Sequence, residues 1–229
     1  MPSPFPITVE PFAADIWSVT RPQRFYGVET GTRTSLVRMA DGGLFVHCPA
    51  ALDPELKAQV DALGPVRAIV APSLFHHLYV GEWMSAYPEA VVCPCPGLTK
   101  KRSDLSWGPE LGASPREEWA ADLDQAELTA RFEREVVFYH PKSRTLICAD
   151  ALLNLSTHPS LATRVVARLM TNTAPGKGWM EWFAVKDRAL CRKQIDRILE
   201  WDLDGVLLAH GAPLERGGHA AVRAAYAWM

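Results

Sequence analysis

The chain has 229 residues, 48% hydrophobic and 22% charged, with 24 Lys plus Arg against 26 Asp plus Glu and a formal net charge of −2. That apolar fraction excludes a largely disordered chain, and the balanced charge excludes the basic excess of a nucleic-acid binder. The length suffices for a large core without disulfide or metal staples, and a single domain over residues 1–229 is expected.

Five cysteines, Cys48, Cys93, Cys95, Cys148 and Cys191, are odd in number and scattered, mostly within apolar runs. They do not read as a secreted disulfide framework, and a reducing, cytoplasmic setting is expected. The stretch Met1 to Glu10 lacks the charged and apolar regions of a signal peptide. No run of 18 apolar residues exists, so no membrane span is expected.

In chain order, residues 14–20 and 33–40 read as strands. Asp41-Gly42-Gly43 is a hairpin turn signal leading into a third strand, Leu44 to Cys48, which Pro49 ends. Asp53 caps a helix with Pro54 in its first turn, and Leu56, Val60 and Leu63 form its apolar face up to Gly64-Pro65. Val66 to Val70 is a buried strand, and its following loop, Ala71 to His77, lies where open α/β sheets place ligands. A helix over 78–87 and a strand over 90–93 follow. Residues 97–127 read as a long irregular surface excursion containing Trp107 and Trp119. Phe132 to His140 and Thr145 to Ala149 form a strand pair ending at Asp150. Helices are expected over 158–172, with Leu161, Val165, Val166 and Leu169 inward, and over 186–201, with Leu190, Cys191, Ile195, Ile198 and Leu199 inward. Between the latter and a C-terminal helix over 217–229 lies a buried strand, Val206 to Ala209, ending at His210-Gly211. The alternation is that of a layered α/β domain.

His76-His77, Asp150 and His210 share one setting: each follows a buried apolar strand. Strand ends converge on one sheet edge, so these groups are candidates for one site, and imidazole and carboxylate suit zinc, iron or manganese. The competing reading is structural, with hydrogen-bonded strand-end histidines and Asp150 capping residues 151–154. Cys93-Pro94-Cys95 reads as core rather than a redox or metal motif. Lys100-Lys101-Arg102 reads as a solvated loop or as a holder of an anionic group at a site mouth. Residues 176–179 lack the phosphate-loop pattern.

Five segments together resemble the metallo-β-lactamase-fold superfamily, and within it a bacterial family of unknown function. They are Asp41-Gly42-Gly43-Leu44-Phe45-Val46, Ile69-Val70-Ala71-Pro72, His76-His77 with Gly81-Glu82-Trp83, Thr145 to Asp150, and Leu208-Ala209-His210-Gly211. The resemblance implies a four-layer αββα sandwich with the site between the two sheet edges. It also implies an H-x-H-x-D-H motif after the strand Val66 to Val70, whose positions here hold Pro72, Leu74, His76 and His77. The third-motif histidine has no counterpart between Asp122 and Arg134, and the early strand-end aspartate is absent from Val46-His47-Cys48-Pro49. The survivors are His77, Asp150 and His210, with His76 as a substitute, and they belong to the second metal position. Two functions follow. One is a mononuclear hydrolase of an ester or thioester, with one Zn, Fe or Mn ion on His76, His77, Asp150 and His210, and Asp150 as candidate catalytic base. The other is a metal-free member of the fold that binds a small molecule or a protein partner. The aromatic-rich residues 179–183 are a candidate interface; neither the substrate nor the oligomeric state is legible.

Overall fold

Period-two alternation along the strands sorts the apolar side chains into three layers. In a computed structural model, which describes residues 8–129, 134–172, 174–176, 178 and 185–229, twelve strands are ordered along the chain. The first eight are β1 (Glu10–Ala13), β2 (Ile16–Arg21), β3 (Arg24–Phe25), β4 (Val28–Glu29), β5 (Thr32–Arg38), β6 (Leu44–His47), β7 (Val66–Ala71) and β8 (Val91–Pro94). The last four are β9 (Asp124–Thr129), β10 (Arg134–His140), β11 (Thr145–Cys148) and β12 (Gly205–Leu208). The described helices are α1 (Pro54–Leu63), α2 (Val80–Ala86), α3 (Leu98–Lys101), α4 (Leu161–Leu169), α5 (Arg188–Leu199) and α6 (Gly218–Ala225).

One sheet has six strands in the order β1-β2-β5-β6-β7-β8, and a second has four in the order β12-β11-β10-β9. Successive residues face opposite ways. Val37, Phe45, Ala68 and Val70 meet Val136, Phe138, Ile147 and Leu207 between the sheets. Their neighbours Leu36, Leu44, Val46 and Ile69 face outward onto Leu56 and Val60 of α1, Val80 and Trp83 of α2, and Leu98 of α3. On the far side, Val137, Leu146, Cys148 and Val206 face Cys191, Ile195 and Ile198 of α5 and Val222 of α6. Both faces of each sheet are covered, which is why these strands read as unbroken apolar runs. This is the four-layer sandwich implied by the resemblance.

The local signals act as read. Asp53 accepts a hydrogen bond from the Leu56 N–H and caps α1. Gly42 adopts a left-handed φ of 83° in the turn between β5 and β6. The excursion over 97–127 is more ordered than expected: it contains α3 and ends in β9, an edge strand paired antiparallel to β10. Its polar residues Asp124 and Gln125 hid the strand, yet both are bound: Trp201 and Arg197 donate to Asp124, and Trp119 donates to Gln125.

Helix α4 departs from its expected orientation. Leu161 and Leu169 are 67% and 73% exposed and Val165 is also exposed, while Thr163 and Ala167 are buried. The small side allows close approach, and the Thr163 hydroxyl donates to the Glu29 carbonyl at 2.7 Å. On α5, Leu190 is exposed rather than inward. Trp179, Trp182 and the candidate interface over 179–183 lie outside the described residues. No helix among the described residues is long and apolar enough to cross a membrane.

Candidate metal centre

Parallel pairing between β11 and β12 sets Cys148 opposite Leu208. Two residues beyond each lie Asp150 and His210, so equal strand overrun places both at the same sheet edge. Gly211, at a φ of 93°, makes this possible. A Cβ there would stand 1.8 Å from the Asn154 carbonyl oxygen, and the Asn154 N–H donates to the His210 carbonyl as the segment crosses.

From the other sheet, the loop after β7 supplies His76. The Ser73 hydroxyl accepts the N–H groups of Phe75 and His76 and bends this loop. The result brings three side chains together. His76 Nε2 lies 3.1 Å from Asp150 Oδ2, His210 Nε2 lies 3.5 Å from Asp150 Oδ1, and the two Nε2 atoms are 3.3 Å apart. Among the described residues, these three form the one group of His, Cys, Asp or Glu able to share a metal.

His77 does not join them. Its Nδ1 is 3.2 Å from the Arg102 guanidinium, and burial together with Lys101 and Arg102 pushes its pKa down to about 4. The expectation that His77 converges with Asp150 and His210 is corrected: adjacent residues in this loop point to different partners, and His76 is the one aimed inward.

The other ring nitrogen of each site histidine is held from behind. His210 Nδ1 donates to the Gly31 carbonyl at 2.6 Å. That leaves the Nε2 lone pair of the neutral ring facing the site. His76 Nδ1 is 2.7 Å from Cys48 Sγ. Cys48 is itself in a left-handed backbone conformation, φ 58°, directly after β6. Burial works against a charge on His76, but the Asp150 carboxylate and Cys48 outweigh it and raise its pKa well above the ordinary imidazole value. Burial pushes His210 down to about 4, opposed by Asp150 and reinforced by His76. The two rings are thus shifted in opposite directions.

Two further residues hold the frame. Glu135 is buried, and its two carboxylate oxygens accept the Ala149 and Asp150 N–H groups at 2.6 and 2.9 Å. Arg33 reaches from β5 to the end of β12, donating to the carbonyls of Leu208 and Gly211. Cys48, Ser73, Glu135, Gly31 and Arg33 escaped the sequence reading. Only Glu135, a charge at the head of Val136-Val137-Phe138-Tyr139, gave a signal along the chain.

The donor set fits a metal ion. Donors about 2.0–2.1 Å from a tetrahedral zinc stand roughly 3.3–3.4 Å apart. The two Nε2 atoms, 3.3 Å apart, have that spacing, and Asp150 turns one oxygen toward each ring, Oδ2 at 3.1 Å from His76 and Oδ1 at 3.5 Å from His210. Pro72 and Leu74 supply no ligand: Pro72 is buried, its carbonyl accepts the Val136 N–H, and Leu74 packs outward with the α2 and α3 layer. Cys93 and Cys95 are buried thiols, pushed up to about 11 and about 12 chiefly by burial. They read as core.

A cavity of about 340 Å³ opens onto the cluster and reaches Phe75, Leu78 and Lys101 at its mouth.

A family model described as a domain of unknown function, DUF4336, matches residues 13–99. No curated protein matches the chain. Solved structures do. A metallo-β-lactamase from Pontibacter korlensis is 13% identical over 97% of this chain and 99% of its own, with a TM-score of 0.66. A metallo-β-lactamase from Pseudomonas aeruginosa in its mono-zinc form is 11% identical over 97% and 96%, also at 0.66. One from Hirschia baltica is 11% identical over 96% and 98%, at 0.64. With two facing sheets, outer helices and a cluster at the paired strand ends, this chain has the metallo-β-lactamase fold.

Proposed function

We propose that the protein is a mononuclear metal-dependent hydrolase acting on an ester or thioester. The observation that carries this reading is the spacing of His76 Nε2, His210 Nε2 and the Asp150 oxygens. Three N/O ligands with one open position make a catalytic rather than a closed structural site. The ion, when bound, supplies Lewis-acid activation of water and of the scissile carbonyl. The chain's own groups do the rest. The Gly31 carbonyl and Cys48 fix the two rings so that both Nε2 atoms face inward. Glu135 pins the backbone that carries Asp150. Asp150 is the group placed to accept a proton from the attacking water and return it to the leaving alcohol or thiol. The absence of ligands at Pro72 and Leu74 argues against a two-metal clamp.

The test is metal analysis of protein grown with zinc, iron and manganese supplied, alongside turnover of nitrophenyl esters and acyl thioesters. About one equivalent of metal with chelator-sensitive turnover, both lost in His210→Ala, supports the reading. Metal-free protein without turnover sinks it. One observation favours the alternative of a metal-free binding protein: His76 and Asp150 already satisfy each other directly, with Cys48 behind the ring.

A further inference from the structure

The cavity beside the cluster is lopsided in its chemistry. Its outer walls are Phe25, Phe75, Leu78, Leu153 and Leu155. Phe25, Phe75 and Leu78 are 56%, 40% and 57% exposed, so three of the exposed large apolar side chains among the described residues meet at one opening. Exposed apolar surface gathered at a concave mouth marks a ligand contact rather than a solvated face. Beyond the cluster itself, the charged side chain at this cavity is Lys101. It donates to the Leu74 carbonyl and lies 5.1 Å over the Phe75 ring. Its neighbour Arg102 is held by Asp104, but Lys101 makes no ion pair among the described residues. An ammonium has three donors, so an anion at the mouth can take the remaining ones. The cavity volume lies toward the small end of ligand pockets, roughly 300–1,000 Å³.

We propose that this site takes an amphiphilic anion: a small ester or thioester with an apolar acyl or aryl body against Phe25, Phe75 and Leu78 and a negative group paired with Lys101. The reading names the substrate class of the hydrolase proposed above and rests on it for the reaction, but the binding part stands by itself. Because the apolar wall and the cation adjoin, neither a polar anion nor a neutral apolar molecule uses both.

Calorimetric titration of the full chain, before and after chelation, with octanoate, acetate and octanol tests it. Octanoate should bind about tenfold or more tightly than either of the others. Lys101→Ala should weaken octanoate about fivefold and leave octanol unchanged, as suits an exposed ion pair. Leu78→Ser should weaken octanoate and leave acetate unchanged. Metal content should be unaltered in both variants. Equal affinities for octanoate and acetate, or no loss in Lys101→Ala, overturn the proposal; so does octanoate binding that vanishes with the metal, because the anion would then sit on the ion. Octanoate binding without any ester turnover keeps this inference and sinks the hydrolase reading, while turnover with no chain-length or charge preference does the reverse.

Discussion

Beyond β7, the chain commits Pro72, Ser73 and Leu74 to structure: a carbonyl closing onto Val136, a hydroxyl bending the loop, and a leucine in the outer core. Beyond β11 and β12, at the facing edge, the equivalent positions carry Asp150 and His210 toward the cavity. The two edges have the same backbone logic and opposite chemistry. His76 is the one group from the first edge that crosses to the second's cluster. The difference teaches that a strand-end loop becomes a site only where its side chains are held from behind. Glu135 holds the backbone of Asp150, and the Gly31 carbonyl and Cys48 hold the rings of His210 and His76, whereas the Leu74 side chain packs into the outer apolar layer.

The strongest way to break this comparison is Asp150→Asn. Loss of the one carboxylate of the cluster should lower metal affinity by about a thousandfold or more, roughly 4 kcal/mol, as measured by competition with a chromophoric chelator. Retained metal would place the site elsewhere.

Glu135→Ala strips the acceptor from two buried N–H groups beneath the cluster. Charged hydrogen bonds are worth roughly 1.5–3 kcal/mol each, so urea unfolding should show a loss of about 3 kcal/mol. A change below 1 kcal/mol would mean that Glu135 is not the frame of this edge.

Cys48→Ala should weaken metal binding about tenfold, the usual effect of removing a partner behind a ligating histidine. Cys48→Ser should restore most of it, since a hydroxyl also accepts from His76 Nδ1. A purely steric role for the sulfur predicts no such rescue, and cobalt absorption spectra of the two variants separate the cases.

His47, at the end of β6, sharpens the contrast because it is a buried histidine with no role at the site. Neither of its ring nitrogens has a hydrogen-bond partner among the described residues, and it rests edge-on to Phe138. Burial, reinforced by His76, pushes its pKa down to about 3. Between pH 6.5 and about 3, the unfolded chain binds a proton that the native ring refuses, so stability falls as pH drops through that window. His47→Leu should flatten this acid limb and raise stability at neutral pH by roughly 1–2 kcal/mol. An unchanged pH profile of urea midpoints would refute the assignment.

The smallest effect is expected at Leu74. Leu74→Ala should leave metal stoichiometry untouched and cost about 1–2 kcal/mol, less than a fully buried leucine because the site is only partly enclosed. A change in metal content would show that the first edge contributes to the centre after all.

Reading along the chain alone settles a good deal here. The buried strands, the turn at Asp41-Gly42-Gly43 and the Asp53 cap rest on apolar period, glycine conformation and side-chain capping, all local properties. The strand-end placement of His76-His77, Asp150 and His210 is equally local, and it made one shared site a candidate without saying which histidine of the pair joins it. Tertiary structure decided the remainder. His76 and His77 are identical in type and adjacent, and their partners distinguish them: Ser73, Cys48 and Asp150 for His76, Arg102 for His77. Helix α4 turns its apolar stripe outward because Thr163 binds the Glu29 carbonyl of β4, 134 residues earlier in the chain. Cys48 and Glu135 read as an ordinary core thiol and a stray charge until folding sets them behind His76 and Asp150. Which side chain faces a site depends on partners brought from distant segments, and no period or motif along one segment encodes those distances.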